Sequence, residues 1–214
     1  MLTRHGETVW QAENRYVGRS DVPLTPRGKT QAERLADWAA AAEVAATVSS
    51  PLSRARETLA PAAQAVGLPP RTDTRLTELD FGIGEGHTPA EMTRLFPEAL
   101  AAFQRDPVTH HLPGGEDPRH AVARATACLT ELAAEFPKRR VLIVWHSTVM
   151  RLVLCHLLGI PLSAYRRVFP FVQNSGLTEI RFTHGRCALL EFNTPIEPAP
   201  QRVSRQPTHT TEIL

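Results

Sequence analysis

Residues 141–157 read VLIVWHSTVMRLVLCHL. The apolar run VLIVW at 141–145 predicts a central strand buried on both faces, because strands of a largely parallel sheet read as continuous apolar segments. A helix from about Thr148 to Leu158 follows directly, which leaves His146 at the carboxyl end of the strand. Upstream of this unit, helical segments are expected near 89 to 105 and 117 to 136. Further back, AATVSS at 45–50 predicts a short buried strand. Thr25-Pro26 ahead of QAERLADWAA predicts an N-cap, a proline at the first helical position and a helix to about Ala42. Another helix is expected from Ser53 to about Ala65, stopped by Gly67-Leu68-Pro69-Pro70. Downstream, LTEIRF and CALLEF, separated by His184-Gly185-Arg186, predict a closing hairpin, and Met1-Leu2-Thr3 predicts a first strand.

Strands alternating with helices predict an α/β class: a doubly wound, mostly parallel central sheet with helices on both faces. One domain is expected over residues 1–194. A flexible tail is expected over 195–214, where the composition turns to Pro, Thr, Gln and Arg. No internal repeat is visible.

The chain has 214 residues, 42% of them hydrophobic, enough to bury a full core. Its 24 basic and 22 acidic residues leave a net charge of +2, so no positive field marks a partner such as nucleic acid or an anionic membrane. Cys128, Cys155 and Cys187 are odd in number and form no C-x-x-C pair, which argues against a disulfide framework or structural zinc and fits a reducing cytoplasm. No charged-then-apolar leader opens the chain, and no apolar run approaches the roughly 20 residues a bilayer requires.

Arg4-His5-Gly6-Glu7-Thr8 begins where the first strand would end. In open α/β sheets ligands bind outside the carboxyl ends of strands, so His5 and His146 are offered to one rim. The strand AATVSS runs into Pro51-Leu52-Ser53-Arg54 and brings Arg54 toward that rim, and Leu76-Thr77-Glu78 can supply a carboxylate. Two histidines, two arginines and a glutamate suit phosphoryl transfer without a metal. They offer a nitrogen nucleophile, cations for the equatorial oxygens and an acid for the leaving group. Arg4 and Arg54 can make forked bonds to phosphate, and Gly6 leaves room for close backbone approach.

The ordered motifs RHGETVW at 4–10, GRSDVPLTPRGKTQA at 18–32, SSPLSRARET at 49–58, LTELDFGIGEG at 76–86, LPGGED at 112–117 and VWHSTVMR at 144–151 resemble the histidine phosphatase superfamily, the phosphoglycerate mutase-like proteins. The resemblance covers about residues 2 to 180 and implies that His5 is phosphorylated. It also implies that Arg4, Arg54 and His146 form the phosphate pocket, with His146 a cation, and that Glu78 is the general acid and base. It implies a metal-independent phosphatase, without cofactor, acting on a small phosphorylated metabolite, and, as such domains often associate through a sheet edge, a homodimer.

Several positions depart from the family pattern. Gln11 stands where asparagine is common, and Arg15-Tyr16-Val17-Gly18 puts Val17 in place of a polar residue beside the pocket. Ser147-Thr148 replaces a glycine pair after His146, with Trp145 in place of a small residue. Ser147 can donate to phosphate through its backbone N–H and hydroxyl. The first strand is short, and a start codon upstream of Met1 would lengthen it. Residues 9–20 and 87–116 are the expected pocket walls. Gln11, Gly18, Tyr16, Val17, His87, Thr88, His110 and His111 are the candidate substrate contacts there.

Three other functions compete. A mutase would use the same histidine to move phosphate within a phosphoglycerate, although LDFGIGEG and the modest length look more like the phosphatase branch. A metal-dependent hydrolase is suggested by His110, His111, Glu116, Asp117 and His120, yet adjacent histidines in a loop are usually surface residues. A catalytically inactive phospho-ligand-binding protein would follow if Trp145 or Gln11 blocked the pocket. Gly82-Ile83-Gly84-Glu85-Gly86 lacks the spacing of a dinucleotide loop. Arg166 and Arg167 read as a solvated pair.

Overall fold

The computed structural model describes residues 1–183 and 186–196. Six strands form one sheet in the order β3-β2-β4-β1-β5-β6. They are β1 Leu2–Arg4, β2 Val44–Ser49, β3 Pro70–Thr72, β4 Arg140–Trp145, β5 Leu177–Thr183 and β6 Arg186–Thr194. The first four in sheet order are parallel, and β5 and β6 add an antiparallel edge. The predicted class is therefore the observed one. The strand at 141–145 is central, with β2 on one side and β1 on the other.

Helices cover both faces: α1 Val9–Ala12, α2 Pro26–Ala40, α3 Ser53–Ala65, α4 Pro89–Leu95, α5 Pro97–Arg105, α6 Pro118–Glu135, α7 Ser147–Leu157 and α8 Tyr165–Val168. The two-residue period of β4 divides the core. Leu142 and Val144 pack with Leu35, Ala55 and Leu59 of α2 and α3, whereas Ile143 and Trp145 join Ala125, Leu129, Val149 and Val153 of α6 and α7. Because both faces of β4 are covered, its alternation is one of apolar side chains only.

Local chemistry sets the helix boundaries. Thr25 Oγ1 accepts the Gly28 N–H at 3.0 Å and Pro26 takes the first position of α2. Thr88 and Glu91 form a capping box that starts α4. The helical stretch expected over 89–105 is two helices, because Phe96 precedes Pro97 and adopts φ −149°, ψ 64°. The proline ring disfavours the helical region for the residue before it. Strand β3 and the short helices α1 and α8 have no counterpart in the sequence reading.

The hairpin expected near the C-terminus is β5 and β6. Its turn at His184-Gly185 lies outside the described residues, as does the expected tail from residue 197 onward. No helix among the described residues is long and apolar enough to cross a membrane.

The loop after β1 is pressed onto the start of α2 by two facing glycines. A Cβ on Gly28 would lie 2.2 Å from the Glu7 carbonyl oxygen, and one on Gly6 would lie 2.5 Å from the Gly28 oxygen. Gly28→Ala therefore forces the loop that carries His5 away from α2. It is expected to cost about 1–3 kcal/mol, read as a lower urea midpoint.

Candidate active site

β1, β2 and β4 all deliver their carboxyl ends to one rim. The register pairs Arg4 with Trp145, so the next residues, His5 and His146, stand side by side with ring centroids 5.2 Å apart. The His5-Gly6 backbone is held on every polar group. His5 N–H donates to the Trp145 oxygen at 3.0 Å, and the His5 oxygen accepts from Asn174 Nδ2 at 2.9 Å. Gly6 N–H donates to Thr58 Oγ1 at 2.9 Å, and the Gly6 oxygen lies 2.7 Å from His5 Nδ1. A carbonyl can only accept, so Nδ1 carries the proton and Nε2 holds a lone pair.

Arg54 reaches that lone pair. Its Nε–H donates to His5 Nε2 at 3.2 Å, while its terminal nitrogens donate to the Ser20 oxygen at 2.8 Å and the Gly18 oxygen at 2.6 Å. The loop that carries these accepting carbonyls is in turn fixed by Glu85, whose carboxylate accepts from Gly18 N, Arg19 N and the Ser20 hydroxyl. Asp21 accepts from the Ser53 N–H and hydroxyl and so anchors the start of α3. Arg4 donates to the Val172 oxygen at 2.8 Å, and its buried Nε has no partner among the described residues.

Glu78 lies against the start of α7. Its Oε1 accepts from Leu79 N and Val149 N, each at 2.9 Å, and its Oε2 accepts from Thr148 N at 3.0 Å. Arg124 secures the segment that carries it, donating to the Arg75 and Thr77 oxygens at 2.6 and 2.7 Å and pairing with both oxygens of Glu116. His146 is fully buried, and neither ring nitrogen has a partner among the described residues.

Burial is the largest cause lowering both imidazoles well below the ordinary histidine range, and Arg54 and Arg4 push the same way. Both rings are neutral at pH 7 in the unliganded protein. Burial, Arg54, His5 and Arg4 oppose a positive charge on His146 as long as no anion stands beside it. Burial also lowers Arg4 to about 10, which leaves it charged.

Arg4, His5 and Glu78 line a cavity of about 320 Å³, the size of a small ligand, while Arg54 and His146 are fully buried behind His5 and are not part of its lining. Of the expected contacts, Arg4, His5, Gln11, Tyr16, Val17, Glu78 and Ser147 line it. Gln11 does so while its amide pairs with Asn174 at 2.8 and 3.0 Å, holding the residue that fixes His5. Gly18 does not line it. Glu85 and Leu79 crowd its Cα, and its role is the carbonyl that Arg54 requires.

The wall expected from residues 87–116 is also displaced. His110 is exposed in a turn closed on Asp106, and neither it nor His111, His87 or Thr88 reaches the cavity. The second wall comes instead from Tyr165, Arg166, Pro170, Phe171 and Val172. Arg166 is half-buried against the Phe103 ring at 4.4 Å, so it is not one of a solvated pair, whereas Arg167 is exposed. Trp145 is wholly within the core and blocks nothing.

The metal-hydrolase cluster is dispersed in structural work. Glu116 pairs with Arg124, and Asp117 caps α6. No group of three or more His, Cys, Asp or Glu suited to a metal occurs among the described residues. Asn174, Arg151 and Arg166 are site residues that carried no function in the sequence reading. Arg151 lay inside a quoted motif, but Asn174 and Arg166 gave no local signal.

A family model described as the histidine phosphatase superfamily (branch 1) matches residues 1–195. The probable phosphoglycerate mutase GpmB of Citrobacter koseri is 35% identical over 168 residues, 78% of each chain. Among solved structures, Bacillus stearothermophilus YhfR matches with TM-score 0.85 and 30% identity over 92% of this chain and 98% of that one. A mycobacterial glucosyl-3-phosphoglycerate phosphatase matches with TM-score 0.82 and 28% identity over 91% and 97%.

The two neutral, buried imidazoles make stability pH-dependent in a defined direction. Their folded pKa values are depressed, so below about 6.5 the unfolded chain takes up protons that the folded one refuses. The contribution of the two rings is flat above that pH and falls on acidification by up to about 1.4 kcal/mol per pH unit for each ring. His146→Gln should flatten the fall between pH 6.5 and 5, measured by urea unfolding in phosphate-free buffers.

Proposed function

The chain belongs to the histidine phosphatase superfamily, and from that premise we propose that it hydrolyses a small phosphomonoester through a phosphohistidine on His5, without metal or cofactor. The observation that carries this reading is the locked tautomer of His5. Its Nδ1 proton is committed to the Gly6 oxygen, which directs the Nε2 lone pair to Arg54 and the cavity floor.

In the first step Nε2 attacks phosphorus and the P–O ester bond breaks. The departing alkoxide takes the proton of the Glu78 carboxyl, giving the free alcohol. Arg4 and Arg54 neutralise the equatorial oxygens, and His146, unpartnered in the free protein, supplies a further hydrogen bond. An arriving dianion offsets the cations that hold His146 neutral, so substrate binding favours its protonation. In the second step water gives a proton to Glu78 and its oxygen bonds to phosphorus as the N–P bond breaks. Inorganic phosphate leaves and His5 is again neutral. Oε2 of Glu78, with one backbone donor against two on Oε1, is the oxygen with lone-pair capacity left for that proton.

The names of the relatives divide between two outcomes of one phosphoenzyme. The GpmB relative is named a probable mutase, and the mycobacterial structure is named a phosphatase. A phosphatase releases inorganic phosphate from substrate alone, whereas a mutase interconverts phosphoglycerates and depends on a bisphosphorylated primer. Solubility in the cytoplasm, pairing as a dimer and a single domain ending near residue 194 are parts of the same proposal.

Purified protein should release phosphate from a panel of phosphomonoesters in the presence of a chelator. His5→Ala should abolish release, and Glu78→Gln should slow it by about 10²–10⁴-fold. Acid-labile, base-stable phosphoprotein should accumulate with wild type or Glu78→Gln and never with His5→Ala. Loss of activity on chelation, or turnover by His5→Ala, would overturn the mechanism.

A further inference from the structure

The cavity holds more positive charge than one phosphoryl group uses. Four arginines line it, Arg4, Arg15, Arg151 and Arg166, against the single carboxylate of Glu78. Arg4 belongs to the phosphoryl floor. Arg15 is already neutralised, pairing with Glu13 at 2.7 Å and Glu91 at 2.8 Å. Arg151 and Arg166 are different, for no carboxylate of the described residues pairs with either.

Both are built into place. Arg151, one turn into α7, donates from Nε to the Ser147 oxygen at 3.1 Å, and its guanidinium carbon lies 5.0 Å from the Tyr165 ring centre. Arg166 on α8 lies 4.4 Å from the Phe103 ring centre, and its Nε donates to the Tyr165 hydroxyl at 2.9 Å. That is the only hydrogen bond it makes to the described residues, so the forked donors of its two terminal nitrogens are uncommitted. An aromatic platform fixes the plane of a guanidinium and leaves its edge for a carboxylate or phosphate. Two partly buried cations facing one cavity, with no carboxylate paired to either, repel each other and lose hydration. Burial pushes Arg151 below its ordinary value, Tyr165 and Glu78 oppose the shift, and Arg166 adds to it.

We infer that Arg151 and Arg166 form a second anion subsite, so that the preferred substrate is a small phosphomonoester bearing another acidic group, a carboxylate or a second phosphate. The inference rests on the phosphatase reading for which group reacts, but not for which groups bind. The cavity volume of about 320 Å³ keeps the two acidic groups on one short carbon frame.

Calorimetric binding to His5→Ala, which cannot turn over, separates the two. The probes are 3-phosphoglycerate, propane-1,3-diol bisphosphate and glycerol 3-phosphate, which share a three-carbon frame and differ in the second group. The two doubly acidic probes should bind at least about tenfold more tightly than glycerol 3-phosphate, and whichever binds tighter names the second group. Adding Arg166→Met should bring the ratio toward one, and Arg166→Glu should reverse it. Arg167→Met, next along the chain but exposed, should leave it unchanged. A ratio of one with Arg166 intact, or one that survives Arg166→Met, overturns the subsite. Phosphate release by wild type without such a ratio overturns the subsite alone. A ratio without any release overturns the phosphatase reading and leaves the subsite standing.

Discussion

A guanidinium with no exposed surface, Arg54, sets the terms for the site. Burying a cation without compensation costs several kcal/mol, and no carboxylate touches this one. Its compensation comes from the Gly18 and Ser20 carbonyls and from the lone pair of His5. Each of those partners must then be held still. Glu85 fixes the 18–20 loop from outside, Thr58 ties the first turns of α3 to Gly6, and Asp21 secures the start of the same helix. Motifs far apart in the chain are thus parts of one cradle for one charge.

That charge explains the protonation of its neighbours. Arg54 lies beside both imidazoles and opposes their protonation, as does Arg4, while burial removes the water that would screen them. The consequence is a site with its cations in place, a neutral His5 and a second imidazole that finds no hydrogen-bond partner among the described residues. Such a site is electrostatically incomplete without an anion. Donors and cations fixed in this way contribute most where negative charge develops beside them.

The parts legible from sequence are those whose chemistry is local. VLIVW at 141–145 needed no context to be read as a doubly buried strand, and Thr25-Pro26 marks a helix start wherever it occurs. His5, Arg54, Glu78 and His146 were legible through motif order and through the rule that strand ends carry ligands. Residues failed to be legible where a distant partner decides their role. Arg166 looks like surface beside Arg167 until Phe103, from another helix, is placed under it. Asn174 is an ordinary turn residue until Gln11 and the His5 carbonyl are found on either side of its amide. His110 and His111 misled in the opposite direction, since their composition suggested chemistry and the Asp106 turn carries them away from the cavity. Strand β3, exposed along its length and containing a proline, has no apolar pattern to read, and only its pairing with β2 makes it a strand.

Chemistry and selectivity are therefore carried by different physical devices. The phosphoryl floor is made at the ends of β1, β2 and β4, where backbone register and buried hydrogen bonds leave side chains almost no freedom. The α7–α8 wall is made of side chains standing on aromatic rings, without backbone pairing between elements to fix it. A substitution at Arg166 need disturb no strand, no cap and no part of the Arg54 cradle. A substitution at Gly28 or Asn174 disturbs the nucleophile itself. A fold divided in this way can change what the wall accepts while His5, in the same tautomer, and the Arg54 cradle behind it stay as they are.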